Sequence, residues 1–235
     1  MGPGEGGSLR SLSRIRDNFA RVVETIEYAA RRAGRDPASI RLCVVTKKVG
    51  EREIREAVRA GAKILGENRV QESVPKIEAL SDLRASLEWH LVGHLQQNKA
   101  RRSVALFDVI ESVDSMTIVQ RLASLGSERG SPIRVFLEVK TSNELEKKGF
   151  PVEVAKDAIP EALSLNGLHV EGLMTMAPFT DDAAQVRASF QSLRRLRDRV
   201  PGGSSLALSM GMTDDYEIAI EEGSTLVRIG TAIFA

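Results

Sequence analysis

Short apolar runs alternate with amphipathic segments through most of this 235-residue chain. Helical periodicity recurs between the runs, for example over Glu51–Ala60 and Ala183–Val200. Regular alternation of strand and helix is typical of a parallel sheet covered by helices, so the pattern restricts the chain to the α/β class. The runs predict eight strands, namely Arg41–Lys47, Ala62–Asn68, Trp89–His94, Phe107–Val113, Ile133–Thr141, Glu171–Ala177, Ser205–Met210 and Thr225–Ile233.

Eight such units in a chain of this length favour a single closed (β/α)8 TIM barrel, which typically needs about 250 residues. An open, doubly wound sheet is the alternative. An extra N-terminal helix is predicted over Leu9–Arg32, because apolar residues recur there at three- and four-residue steps. We expect residues 1–8 to be a disordered tail and residues 9–235 to form one barrel domain, since no Pro-, Gly- or Ser-rich linker interrupts them.

Composition excludes several classes of protein. Basic and acidic residues number 33 and 32, and this balance gives no reason to expect nucleic acid or an anionic membrane as a partner. One cysteine, Cys43, provides neither a disulfide framework nor a thiolate metal site and suits a reducing compartment. No signal peptide or membrane-length apolar stretch is present, so a cytoplasmic location is expected.

The active site of a (β/α)8 barrel lies at the carboxyl ends of its strands, and phosphate often binds after the last two. The seventh predicted strand ends at Ser209, and the eighth carries Gly230 and Thr231. Two hydroxyls and a bare backbone N–H at these positions predict a neutral phosphate site. Ordinary turn chemistry is the alternative, with Thr213 or Asp214 as the N-cap of the next helix.

Lys47 ends the first predicted strand, at the expected mouth of the barrel. A lysine that is partly desolvated there, near Lys48 and Arg228, would have a lowered pKa, and its neutral amine could form an imine with an aldehyde. A lysine that merely extends into solvent is the alternative.

Metal binding is not expected. His90 and His94 would share one face of the third strand, but no carboxylate cluster in the sequence completes a ligand set around them. His90 is expected to line the pocket, and Cys43 to pack inertly within a strand.

Several ordered motifs are similar to those of the pyridoxal phosphate homeostasis protein family, single-barrel relatives of the alanine racemase N-terminal domain. The resemblance extends from about Ile40 to the C-terminus and implies pyridoxal 5′-phosphate (PLP) as cofactor. The motifs are VVTKK (Val44–Lys48), GENRVQE (Gly66–Glu72), WHLVGHLQQNK (Trp89–Lys99), GLMTMAP (Gly172–Pro178), LSMGMTDDYEIAIEEGS (Leu208–Ser224) and VRIGTAIF (Val227–Phe234).

The resemblance also implies residue roles. Lys47 resembles the Schiff-base lysine, and Asn68 resembles the asparagine beside the cofactor ring. Ser209, Gly230 and Thr231 resemble the phosphate-binding positions. Arg228 resembles the arginine facing the pyridine nitrogen, and because a guanidinium cannot accept a proton, that nitrogen would stay unprotonated.

One departure from the family is that Val49 stands where many relatives have a second lysine. The second, mostly β domain of alanine racemase, whose partner subunit supplies a tyrosine base, has no counterpart in the sequence. We therefore expect a PLP carrier that acts in vitamin B6 and amino-acid homeostasis, as a monomer, with PLP-dependent apo-enzymes as recipients. The alternatives are a PLP-dependent racemase or other Cα–H enzyme of low activity and, apart from the resemblance, a barrel that forms a lysine Schiff base with a sugar phosphate.

Overall fold

The computed structural model describes residues 5–142, 144 and 147–235, with the side chains of residues 5–11 excepted. Its strands are β1 Arg41–Val45, β2 Ile64–Glu67, β3 Glu88–Leu91, β4 Val109–Val113, β5 Ile133–Lys140, β6 Phe150–Pro151, β7 Leu168–Met174, β8 Ala207–Ser209 and β9 Leu226–Ile229. Its α-helices are α1 Glu5–Arg32, α2 Glu51–Ala60, α3 Val70–Ala79, α4 Ala100–Leu106, α5 Met116–Glu128, α6 Val152–Leu163, α7 Ala183–Arg199, α8 Tyr216–Glu221 and α9 Thr231–Phe234.

The sheet closes on itself. All of its strand pairs are parallel, β1 pairs with both β2 and β9, and an additional pairing joins β4 to β5. The two-residue strand β6 pairs with the last residues of β5, outside this cycle. Eight strands of the described chain therefore form a closed parallel barrel with helices between them. The predicted barrel is confirmed, and the open doubly wound sheet is excluded.

Most predicted strands extend too far toward their carboxyl ends. The first ends at Val45 rather than Lys47, and the third ends at Leu91 rather than His94. The eighth ends at Ile229, and the residues from Thr231 onward form α9 instead. These residues leave the hydrogen-bonded ladder and form the loops at the carboxyl end of the barrel, where the cavity described below lies.

Helix α1 begins at Glu5, four residues before its predicted start, and residues 1–4 of the predicted tail lie outside the described residues. Its apolar face is buried as the periodicity predicts, with Phe19 and Ile26 among its core residues. Asn18 Nδ2 donates to Ile233 O at 3.1 Å and to Ala235 O at 3.2 Å. The helix is thereby attached to the last residues of the chain. Among the described helices, none is both long enough and apolar enough to cross a membrane.

The hydrophobic core has two parts. The larger part packs the outer faces of the strands against the helices, as in Leu65, Trp89 and Phe190. A smaller cluster fills the interior of the barrel, and its buried members are Cys43, Ile64, Val109, Phe136, Met174 and Leu226. The barrel interior also holds charged side chains. Glu88, His90, Glu111 and Arg228 belong to strand positions that register with this inner cluster.

Candidate functional site

A cavity of about 470 Å³ lies at the carboxyl ends of the strands. This volume falls within the ~300–1,000 Å³ typical of small-ligand sites. Five of the six residues predicted for a cofactor site share its wall. The complete lining is Val45, Lys47, Asn68, Val92, Gly93, His94, Glu138, Lys147, Lys148, Met176, Met212, Thr213, Asp214, Arg228, Gly230 and Thr231.

Lys47 follows β1, and the preceding residue, Thr46, is fixed by a buried hydrogen-bond network. The Thr46 hydroxyl donates to Glu67 Oε1 at 2.5 Å, and Lys76 Nζ donates to the same oxygen at 2.7 Å and to Thr46 O at 2.6 Å. Lys47 itself is exposed, so the desolvation expected from the sequence is not seen. No hydrogen bond or ion pair of its amine is found within the part of the chain that the structure describes. The amine is therefore accessible to a ligand in the cavity.

Asn68 follows β2 and packs tightly against the loop after β3. A Cβ atom at Gly93 would lie 2.1 Å from Asn68 O, so the two loops can approach this closely only because residue 93 is glycine. The close approach fixes the Asn68 backbone on the cavity wall, and its half-buried side chain offers both a donor and an acceptor there.

A group of small and hydroxyl-bearing residues forms the opposite side of the cavity. A Cβ atom at Gly230 would lie 2.9 Å from Val45 O, so the backbones of these two residues approach each other closely on the cavity wall. Thr231 follows, and the hydroxyl of Thr213 accepts a hydrogen bond from Ala232 N at 3.4 Å. Two hydroxyls and a glycine backbone are thus close together and offer hydrogen-bond donors without a net charge, which suits a phosphate.

Ser209 is the one predicted site residue that does not line the cavity. It is fully buried in β8, faces the barrel interior and donates to Glu111 Oε2 at 2.5 Å. Thr213, four residues later, occupies the wall instead. The alternative in which Thr213 or Asp214 is the N-cap of the next helix is wrong, because the N-cap of α8 is Asp215, whose carboxylate accepts from Met212 N at 2.5 Å.

Arg228 reaches the cavity from inside the barrel. Its Nη1 donates to Ser209 Oγ at 2.5 Å, its Nη2 donates to Thr175 O at 2.8 Å, and its side chain is 4% exposed. These contacts fix the guanidinium, as expected for a group that faces one edge of a ligand.

Sequence reasoning missed the electrostatics of the remaining wall. Burial, together with the charge of Asp114, raises the pKa of Glu138 to about 7. Lys147 donates to Ala177 O at 2.5 Å, and Lys148 is exposed on the wall. Glu138 lies near the end of the fifth predicted strand, which is the position that could have marked it as a candidate, whereas the loop that carries the two lysines gave no periodic signal.

The two histidines proved to occupy different environments. His90 is buried and its ring nitrogens contact Glu111 at 2.5 Å and Glu88 at 2.7 Å, whereas His94 lies beyond β3 and pairs with Asp114 at 2.9 Å. Ligand atoms of Cys43, His90 and Glu111 lie within 4.8 Å of one another. Both nitrogens of His90 are already used by carboxylates, so this buried group is an ion-pair network rather than an open set of metal ligands.

This barrel has an unpaired lysine, and hydroxyl groups beside a glycine backbone, around one cavity at the carboxyl ends of its described strands. These are the groups with which a barrel of this class can bind a phosphorylated carbonyl compound. Residues 11–235 match the family described as alanine racemase, N-terminal domain. The chain is 39% identical to the pyridoxal phosphate homeostasis protein of Aquifex aeolicus, over 93% of this chain and 96% of that protein. The chain therefore belongs to the alanine racemase N-terminal domain family, among its pyridoxal phosphate homeostasis proteins.

Solved structures agree with this assignment. A protein of unknown function from Bifidobacterium adolescentis matches with a TM-score of 0.89 at 37% identity, covering 96% of each chain. PipY of Synechococcus elongatus, solved with PLP bound, matches with a TM-score of 0.76 at 37% identity, covering 90% of this chain and 100% of PipY.

Proposed function

We propose that this protein binds PLP in the cavity at the carboxyl ends of its strands, holds it as a Schiff base on Lys47, and acts in intracellular vitamin B6 and amino-acid homeostasis. The observation that carries the proposal is the position of the Lys47 amine, which shares one cavity wall with Asn68, Arg228, Gly230 and Thr231. The PLP-bound PipY, a relative of the same fold at 37% identity, supports it.

The donor set fits PLP. When bound, PLP supplies an aldehyde that condenses reversibly with a neutral amine. Lys47 provides that amine, while Thr213, Gly230 and Thr231 donate to the phosphate. Arg228 is held so that it can donate to the pyridine nitrogen, and it cannot give up a proton to it. An unprotonated ring withdraws electrons poorly, so this set of residues favours storage over carbanion chemistry.

The biological setting is part of the proposal. Masking the aldehyde on Lys47 keeps it from reacting with other cellular amines, and release would supply PLP-dependent apo-enzymes. We propose that the protein works in the cytoplasm as a monomer. Neither of its two tyrosines, both within the described residues, lines the cavity, so no phenol is placed there as a second base.

Low Cα–H activity is a second candidate, and Glu138 favours it. This carboxyl lies on the cavity wall and its raised pKa of about 7 allows it both to hold and to release a proton near neutral pH. Exchange of the alanine Cα hydrogen for deuterium would detect such activity. Glu138→Gln should abolish exchange if the carboxyl carries the proton.

The test of the proposed function is the absorption spectrum of the purified protein before and after borohydride, followed by peptide mapping. We expect a visible imine band that reduction removes, with a pyridoxyl adduct on Lys47. An adduct on Lys147 or Lys148, which share the wall, would relocate the link. A protein that stays colourless when PLP is added would refute the proposal and favour the sugar-phosphate barrel.

A further inference from the structure

A continuous line of hydrogen-bonded side chains runs through the barrel interior from the cavity toward the opposite end. It begins at Arg228, whose Nη1 donates to Ser209 Oγ at 2.5 Å. Ser209 donates to Glu111 Oε2 at 2.5 Å, and the other oxygen of Glu111 contacts His90 Nδ1 at 2.5 Å. His90 Nε2 contacts Glu88 Oε1 at 2.7 Å. We call these five residues the interior relay.

The charges alternate along the interior relay. Burial opposes a charge on His90, but its hydrogen bonds with Glu111 and Glu88 outweigh burial and raise its pKa. At Glu111, burial is outweighed by the contact with His90, the charge of Arg228 and the hydrogen bond from Ser209. Together they lower the pKa of that carboxyl. Both ring nitrogens of His90 contact carboxylate oxygens, and only an imidazolium can donate from both. The order is then Glu88 negative, His90 positive, Glu111 negative and Arg228 positive.

The other elements around His90 add few charges. Cys43 on β1 is neutral, because burial and the charge of Glu111 raise its thiol pKa well above the usual value. Arg41 on β1 and Arg134 on β5 contact Glu88 at 2.8 and 3.1 Å. Glu111 faces Arg228 from within the barrel, at 3.8 Å, and Glu138 and Asp215 also interact with the charge of Arg228.

A barrel interior is ordinarily filled by branched apolar side chains, and buried charges are costly unless they are paired. An apolar interior would support the strands equally well. Here four charged side chains are connected instead, and the last of them, Arg228, lines the cavity. Their arrangement therefore bears on what Arg228 does.

We propose that Glu111 is a positioning residue for Arg228, and that His90 keeps Glu111 ionised for this purpose. Glu111 acts on the guanidinium directly by charge and through the Ser209 hydroxyl by hydrogen bonding. It aims the guanidinium at the ligand and partly offsets its positive potential at the Lys47 amine. This inference rests on the proposed function, because it assigns Ser209 to the positioning of Arg228 rather than to the phosphate.

The test uses Glu111→Gln, which keeps the shape of the side chain and removes its charge. In the PLP-loaded protein, the midpoint of the pH titration of the Schiff-base absorption should fall by about one pH unit. Without the negative charge of Glu111, the positive charge of Arg228 is offset less, and the protonated imine becomes less favourable. In the unloaded protein, nitrogen NMR of labelled histidine should show His90 doubly protonated at neutral pH in the wild type and losing a proton in the variant.

The matched control is Glu222→Gln, the same substitution at a carboxylate that is 5% exposed and pairs with Arg187 and Arg194 on the outer side of the barrel. It should leave both readings unchanged. An absorption midpoint for Glu111→Gln that equals that of Glu222→Gln overturns the inference. If the wild type forms no visible band, the proposed function itself has failed, and that result differs from a band that is present but does not shift.

A second variant, Ser209→Ala, separates the two roles of this serine even if Glu111→Gln fails to fold. It should shift the absorption midpoint in the same direction, by less. The ratio of the dissociation constants for pyridoxal and PLP should stay at the wild-type value, because pyridoxal lacks only the phosphate. A ratio that drops severalfold without a shift in the midpoint would assign Ser209 to the phosphate and overturn the inference.

Discussion

The two ends of the barrel have cavities of different size and different chemistry. The cavity at the amino ends of the strands is the larger, about 810 Å³ against about 470 Å³. Its charged residues largely satisfy one another. Arg41 and Arg134 contact Glu88, and Asp108 accepts two hydrogen bonds from Arg84.

The smaller cavity, at the carboxyl ends, has the opposite character. Lys47 has no partner within the described residues, and Glu138 is buried without a compensating cation in direct contact among the described ion pairs. Volume therefore does not identify the functional end. Groups whose bonding capacity is left unused identify it, because a ligand can satisfy them without breaking an existing contact.

The largest expected effect is at Lys47. Lys47→Ala should abolish the borohydride-trapped link, because that link is assigned to the Lys47 amine and the adjacent Lys48 does not line the cavity, while contacts to the phosphate keep some PLP bound. Lys48→Ala is the matched control, since Lys48 is adjacent and exposed but does not line the cavity. Mass mapping after reduction gives the answer, and an undiminished adduct in Lys47→Ala would contradict the assignment.

Glu138 gives the next largest effect, on stability. Its pKa in the folded protein is about 7, against an ordinary value of 4.5, so the folded state binds more protons than the unfolded state between these two pH values. Stability is therefore lost as pH rises from about 4.5 to 7, by on the order of 3 kcal/mol. Urea unfolding of the unloaded protein across this range should show that Glu138→Gln removes the loss.

The control for this titration is Glu222→Gln, which removes a buried carboxylate that two arginines compensate. It should not flatten the decline in stability between pH 4.5 and 7. If Glu138→Gln and the wild type have parallel stability profiles, burial does not raise the pKa of Glu138, contrary to what the structure indicates.

The sequence predicted the barrel, and it predicted five residues that the structure brings together on one cavity wall. Lys47, Gly230 and Thr231 were predicted from their positions near the ends of strands, whereas Asn68 was assigned by the family resemblance. All four lie on the cavity wall. Ser209 lies off this wall, because side chains alternate along a strand and a strand-end residue can face the barrel interior as well as the cavity.

The interior relay was not predictable from the sequence. Glu88, His90 and Glu111 interrupt apolar runs, and a pattern of burial does not reveal which buried charges meet. His90 and Glu111 are 21 positions apart and come together because β3 and β4 are neighbours in register. The sequence analysis also placed His90 and His94 on one strand, but β3 ends before His94 and the two lie in different environments.

A smaller effect tests whether the hydroxyls of Thr213 and Thr231 bind the phosphate. Thr213→Val and Thr231→Val should each weaken PLP retention by about 1 kcal/mol or more, roughly fivefold, because each loses a hydrogen bond to a charged group. Neither should change the affinity for pyridoxal, which lacks the phosphate. Equilibrium dialysis with both ligands measures this, and equal losses for the two ligands would remove these hydroxyls from the phosphate site.

The smallest expected effect is at the opposite end of the barrel. Arg84 donates to both oxygens of Asp108, at 2.8 and 2.7 Å, but the arginine side chain is 37% exposed. Arg84→Met should therefore lower the free energy of unfolding by no more than about 1 kcal/mol, since solvent screens such pairs. PLP retention and the absorption midpoint should stay at their wild-type values. A loss of PLP binding in this variant would mean that the paired charges at the amino ends act on the cavity, and the contrast between the two ends would not hold.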